Sequence, residues 1–164
     1  MHDTMNIVPI TERNWHSLKA VRLESLIDSP DAFGLTYQDA KEISKVKWQS
    51  IASGKEGLKF FLARSGGEIV GLVGGFHIAE EYELVSMWVR PEKRNNGIGG
   101  QLIKELLNHA KSQGSGTVAL HVSLDNKVAR KLYAKAGFID AEEKNDRSGE
   151  KLKKMVWHSA PASI

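Results

Sequence analysis

The sequence has no cysteine among its 164 residues. That absence excludes a disulfide framework, thiolate zinc ligation and a cysteine nucleophile, and it fits a reducing compartment. No apolar run approaches the roughly 20 residues that cross a bilayer, and residues 1–10 lack the basic-then-apolar order of a secretory signal. A soluble cytoplasmic protein with no membrane partner is the expectation. A strong excess of charge is also missing: 23 Lys and Arg against 20 Asp and Glu leave +3. A nucleic-acid binder would carry a basic stripe with interleaved aromatics, whereas here the signs are mixed along most of the chain, so no nucleic-acid partner is expected. His2, His16, His77, His109 and His158 show no H-x-x-x-H or H-E-x-x-H spacing, so no metal is expected, and no G-x-S-x-G elbow supports a serine hydrolase.

What is present fits one ordinary domain, 1–164. A chain of this size buries roughly two-thirds of its unfolded surface and needs no metal or disulfide staple. There is no internal repeat, low-complexity tract or linker. Residues 8–10 read as a short strand, and Thr11 caps a helix to about 26, stopped by Asp28-Ser29-Pro30-Asp31. A single second helix is predicted over 36–53, ending before Gly54. Residues 60–64 and 68–78 read as a hairpin joined by Ser65-Gly66-Gly67, and 84–89 as a central strand, apolar on both faces. The segment 97–112 is the most periodic, with Ile98, Leu102, Ile103, Leu106, Leu107 and Ala110 in one stripe. A strand over 117–122, a helix over 126–136 closed by Gly137, and strands at 138–143 and 152–157 follow. The order β-α-α-β-β-β-α-β-α-β-β predicts an α/β protein with a mixed sheet flanked by helices.

The informative stretch runs Val89-Arg90-Pro91-Glu92-Lys93-Arg94-Asn95-Asn96-Gly97-Ile98-Gly99-Gly100. A strand feeds a basic, glycine-rich turn, and a long helix begins there. The first N–H groups of a helix have no partner inside it and carry about half a positive charge. Glycines let a bulky anion approach that backbone. Of the two basic groups in the chain, Arg90/Lys93/Arg94 and Lys151/Lys153/Lys154, the first is the candidate for a small polyanion because glycines follow it at once. A dinucleotide fingerprint would need glycine where Leu102 stands, and a Walker loop would need a lysine after the glycines. What remains is R-x-x-G-x-G from Arg94 to Gly99. The alternative reading is a tight turn whose glycines only cap a helix.

This loop, with its preceding strand and proline, resembles the pyrophosphate loop of the GNAT superfamily of N-acetyltransferases. A second stretch, from Asn126 through Ala129, Leu132, Tyr133 and Gly137 to Phe138, resembles that superfamily's later motif N-x-x-A-x-x-L-Y-x-x-x-G-F, in the expected order and spacing. The likeness is tight over 84–138, while the N-terminal half matches only in its order of elements. Residues 28–34 and Ser86-Met87-Trp88-Val89 resemble a bacterial subgroup of acetyltransferases. The resemblance implies a mixed, mostly antiparallel sheet of six to seven strands flanked by about four helices. It implies acetyl-CoA as cosubstrate and a primary amine of a small molecule or protein as acceptor. A non-catalytic acyl-CoA sensor or interaction module on the same fold is the alternative. The sequence leaves oligomeric state open, a homodimer through the terminal hairpin or helices being one arrangement.

The resemblance also implies roles. The backbone of Met87, Trp88 and Val89 would pair with the pantetheine arm and acetyl carbonyl, as an added strand pairs with a sheet edge. Arg94, Asn95, Asn96, Gly97, Ile98, Gly99 and Gly100 would take the diphosphate, mainly through main-chain N–H groups, with charge added by the Arg94 side chain. Asn126 would touch the pantetheine arm or else cap its helix. Tyr133 would face the sulfur as the thiolate leaves, or else pack with Val128, Ala129 and Leu132. An ordinary thiol titrates near 8.5 and a tyrosine near 10, so full proton transfer is uphill by roughly 2 kcal/mol. A hydrogen-bond donor therefore suits Tyr133 better than a full acid. For the base that frees the amine, His121 and Glu83 compete, with a water chain as the third route; an imidazole's ordinary range suits neutrality. The acceptor wall falls at about 27–37, with Phe33, Gly34, Thr36 and Tyr37 the candidate substrate residues, and part of 145–150 faces it. Asp28, Asp31 and Asp39 would favour a cationic acceptor, although Asp28 and Asp31 equally suit a turn beside Pro30.

Overall fold

A computed structural model describes residues 4–29, 35–78, 80–141 and 152–160. The chain enters on strand β1 (Met5–Pro9), one turn of 3-10 helix (Glu12–Asn14) and helix α1 (Trp15–Asp28). Thr11 sits at the start of that turn, its N–H donating to Asn14 Oδ1 at 3.2 Å.

The single helix predicted over 36–53 is in fact two, α2 (Tyr37–Lys41) and α3 (Lys45–Ser53). Ser44 causes the break. Its backbone is extended and its hydroxyl accepts from the Lys47 N–H at 3.1 Å, starting a new helix. Gly54, at φ +84°, ends α3 as predicted. Strands β2 (Lys59–Ser65) and β3 (Glu68–Ile78) form the expected hairpin. Gly66 and Gly67 make its two-residue turn at φ +57° and +84°, a conformation that disfavours any side chain. There follow β4 (Glu81–Val89), a short turn (Pro91–Lys93), α4 (Ile98–Ser112), β5 (Thr117–Ser123), α5 (Lys127–Lys135), β6 (Ile139–Ala141) and β7 (Leu152–His158).

The seven strands form one sheet in the order β1-β2-β3-β4-β5-β7-β6. Every neighbouring pair is antiparallel except β4–β5, which the α4 crossover makes parallel. This is the mixed, mostly antiparallel sheet expected from the sequence.

Side chains alternate between two cores. On one face, Phe61, Val73, Leu84, Val118, Leu120 and Val122 pack with the α4 stripe (Leu102, Ile103, Leu106) and with Tyr133 of α5. On the other, Phe60, Leu62, Leu72 and Trp88 pack with Leu18, Val21 and Leu26 of α1 and Trp48 of α3. Each fully buried Leu or Ile contributes about 1.5–3 kcal/mol relative to exposure, so the fold rests on both faces, and the central strands are apolar on both.

Candidate active site

The two parallel strands at the centre of the sheet part company early. Only Tyr82↔Val118 and Glu83↔Ala119 are registered between β4 and β5. On its other side β4 stays paired with β3 as far as Val89↔Gly71, with one irregularity. Val85 and Trp88 oppose Gly74 and Leu72, so β4 carries one residue more than β3 in that interval. Ser86, at φ +57°, is where the bulge forms. A bulge bends its strand and sharpens the local twist. From residue 84 to 89 the main chain of β4 that faces β5 therefore has no strand partner among the described residues, which is the edge an extended ligand can pair with.

That strand leads into the glycine loop. The Arg90 N–H still bonds Val70 O at 2.7 Å, after which the chain turns through Pro91–Lys93. Asn95 and Gly97 are left-handed, at φ +65° and +79°, and α4 begins at Ile98. Its first internally bonded amide is Gln101, to Gly97 O at 3.1 Å; the N–H groups of residues 95–100 have no acceptor among the described residues. A Cβ added at Gly97 or Gly100 would meet nothing within 4 Å, so those two glycines face open space. Gly99 faces inward, where a Cβ would lie 3.0 Å from Leu132 Cδ2 and 3.2 Å from Met87 Cε. Gly99 thus lets α4, α5 and β4 meet, while Gly97 and Gly100 keep the backbone bare.

The two arginines of the loop are engaged by the protein itself. Arg94 donates Nε to Val89 O and Nη2 to Asp28 Oδ2, both at 2.8 Å. Arg90 grips Glu24 with Nε at 2.7 Å and Nη2 at 3.1 Å and reaches Glu68 at 3.4 Å. Lys154, from the second basic group, pairs with Glu81 at 3.0 Å. With Arg90 and Arg94 each held by a carboxylate, the anion-attracting features left to the loop are Lys93 and the row of amides at a helix start.

Glu83 and His121, rivals for one role in the sequence, are partners in the structure. His121 Nδ1 lies 2.8 Å from Glu83 Oε1, with the Glu83 side chain 6% and the His121 side chain 20% exposed. The parallel register explains the contact: Ala119 opposes Glu83, and His121 is the next residue of β5 on the same face. Lys154 opposes His121 on β7 and places a cation on that face, beside Glu81. Tyr133 lies on the other side of the sheet, in the core with Leu84, Leu120 and Val122, its ring edge-on to Phe138 at 5.9 Å. Burial pushes its phenol well above the ordinary tyrosine range. The acid–imidazole pair thus lies on one face of the sheet and the buried phenol in the core of the other.

Asn126 caps α5, its Oδ1 accepting from the Ala129 N–H at 3.1 Å. Thr36 caps α2 in the same way, accepting from Asp39 N–H at 3.0 Å, and Lys41 covers the ring of Tyr37 with Nζ 5.9 Å from its centroid. Phe33, Gly34, Asp31 and the loop 145–150 lie outside the described residues. Two features escaped the sequence reading: the left-handed Ser86, and the use of Asp28 as a hydrogen-bond hub. Among the described residues no cluster of three His, Asp or Glu is placed to hold a metal ion, and no helix is long and apolar enough to cross a membrane.

A family model described as the acetyltransferase (GNAT) family matches residues 22–138, from the middle of α1 to just beyond α5. The chain belongs to that family. Among its GNAT relatives, a mycothiol acetyltransferase of Streptomyces coelicolor is 31% identical over 125 residues, covering 75% of this chain but 38% of that protein. The N-alpha-acetyltransferase RimI of Mycobacterium tuberculosis is 40% identical over 80 residues, 46% of this chain and 49% of that one. This chain thus spans between about two-fifths and half the length of these curated relatives. Solved structures share the GNAT fold. The PaiA N-acetyltransferase of Thermoplasma acidophilum, in complex with coenzyme A, superposes with a TM-score of 0.74 at 21% identity, over 94% of this chain and 99% of that one. The ribosomal-protein-S18-alanine N-acetyltransferase of Escherichia coli gives 0.67 at 17% identity, over 98% and 97%.

Proposed function

We propose that this protein is an N-acetyltransferase that passes the acetyl group of acetyl-CoA to a primary amine by direct attack in a ternary complex. The observation that carries this reading is the run of main-chain N–H groups over 95–100, without acceptors among the described residues, at the start of α4 and beside the unpaired edge of β4. Relatives named as acetyltransferases support it, as does a structural neighbour with coenzyme A bound.

When bound, acetyl-CoA supplies a thioester carbonyl for attack and a thiolate as leaving group. The amides of 95–100, with the α4 dipole behind them, hold the diphosphate. The main chain of Met87, Trp88 and Val89 aligns the pantetheine arm and acetyl carbonyl along the edge of β4. His121 takes the proton that the amine loses as its nitrogen bonds to the acetyl carbon. Glu83, 2.8 Å from Nδ1, orients the imidazole and stabilises the imidazolium that forms. As the C–S bond breaks, the Tyr133 hydroxyl donates a hydrogen bond to the departing sulfur without giving up its proton, the role its raised pKa favours. Base and donor act from opposite faces of the sheet, across the gap.

Thermal unfolding with acetyl-CoA tests the coenzyme half. Saturation at 100 times the dissociation constant adds about 2.7 kcal/mol, an upward shift of about 5–10 °C for a domain of this size. No shift at millimolar ligand overturns the reading. Coenzyme A release across a panel of amines tests the rest: His121→Ala is expected to keep the thermal shift and lose about 100-fold or more in turnover. A full shift with no turnover on any amine would identify a sensor instead.

A further inference from the structure

We infer that Asp28 is a positioning residue for the coenzyme: through Arg94 and Trp88, its carboxylate locks the bulged strand β4 and the amide loop into one fixed relation. The inference rests on the reading of 95–100 as the diphosphate cradle.

Asp28 is the last residue of α1. Its Oδ2 accepts from Trp88 Nε1, Arg94 Nη2 and Ser29 Oγ, each at 2.8 Å. Arg94 also donates Nε to Val89 O at 2.8 Å. One carboxylate therefore holds Trp88, next to the end of the strand along which the pantetheine would lie, and, through Arg94, both its last residue and the residue that opens the cradle. Trp88 and Arg94 are 60 and 66 residues away in sequence, so nothing local brings the three together.

Helix stability alone argues against an acid at this position. The last turn of a helix carries about half a negative charge and favours cations, yet α1 ends on Asp28 with no basic residue in its last turn. The carboxyl is nonetheless held below its ordinary range, first by the Trp88 indole, then by Ser29 and Arg94. The contacts to β4 and the loop offset the unfavourable dipole. They also fix what Arg94 does: with Nε on Val89 O and Nη2 on Asp28, the guanidinium closes the turn over 89–94 rather than leading with its charge. Amides bind an anion well only if they are aligned before it arrives, and this clamp supplies the alignment.

A double-mutant cycle on coenzyme A affinity, measured by calorimetry well below each variant's unfolding temperature, tests the inference. Asp28→Ala and Arg94→Ala are each expected to weaken binding at least tenfold, and the double variant to lose clearly less than the product of the two. Asp28→Asn keeps the fold and an acceptor for the Trp88 indole, and is expected to fall between wild type and Asp28→Ala. The Trp88 indole N–H resonance, assigned by its loss in Trp88→Phe, shifts in Asp28→Ala. Wild-type protein that binds coenzyme A, with both Asp28 variants within twofold of it or with strictly multiplying effects, overturns the inference alone. Wild-type protein that does not bind coenzyme A overturns it together with the cradle.

Discussion

At the scale of single residues, Tyr133 shows how packing and chemistry constrain one side chain. The ring belongs to the core and stacks edge-on with Phe138, while burial makes the phenol a weaker acid. Removing only the hydroxyl separates these roles. Tyr133→Phe is expected to keep stability within about 1 kcal/mol and coenzyme affinity within twofold, and to lose about 100-fold in kcat, the scale seen when a single transition-state donor is deleted. Steady-state kinetics with a competent amine checks this, and unchanged kcat rules Tyr133 out as the donor. Asp28 gives a pH signature. Its folded pKa is lowered, chiefly by the Trp88 hydrogen bond, so its contribution to stability is present above the unfolded value of about 3.9 and is lost as pH falls through the lower folded value. The difference in unfolding temperature between wild type and Asp28→Asn should be constant from about pH 5 to 7 and shrink below about pH 4. Glu83 and His121 mark the limit of what single residues disclose. The two residues stand 38 apart and meet through a parallel register, and no local spacing encodes such a register, so the sequence offers two rivals where the fold makes a pair.

Among the elements, α4 is the most legible and the most exacting. Its stripe of Ile98, Leu102, Ile103, Leu106, Leu107 and Ala110 is wholly buried, as its 3.6-residue period requires. The pair α2 and α3 was not legible as two helices because only Ala40 of α2 and Trp48 and Ala52 of α3 are buried. So sparse a pattern cannot register the three-residue break at Ser44, and only the cap would have revealed it. The start of α4 allows a separation of stability from binding. Gly100 lies inside the helix, lacks a positive φ, and has open space where a Cβ would stand. Gly100→Ala should raise stability by about 0.5–1 kcal/mol through helix propensity, yet put a methyl group against the diphosphate and weaken coenzyme A at least tenfold. Gly97→Ala, by contrast, must also force a side chain into φ +79° and should lower stability. Unfolding curves and calorimetry on the two variants check both arms, and a Gly100→Ala protein that binds coenzyme A normally removes the cradle from this face of the helix.

At the scale of the whole molecule, the parting of β4 and β5 is what opens the two-faced core where the coenzyme is proposed to bind. Elsewhere the ladders run longer: β2 is paired with β3 over all seven of its residues, with one irregularity, and β5 matches β7 over seven positions. Only between β4 and β5 does the ladder stop after two pairs, and the amides of 95–100 lie at the end of the strand that leaves it. Backbone N–H groups with no acceptor exchange with solvent through small local fluctuations, whereas laddered amides exchange only when strands open. Hydrogen exchange therefore distinguishes the two classes in a single experiment. In the free protein, residues 95–100 should exchange fastest within the span 84–112. Acetyl-CoA should slow exchange at 95–100 and along 84–89 by more than it slows β2 and β3, because only the former gain acceptors directly. Uniform slowing across the sheet, with no excess at 95–100, would mean that the ligand stabilises the fold from another surface, and the split sheet would need a different explanation.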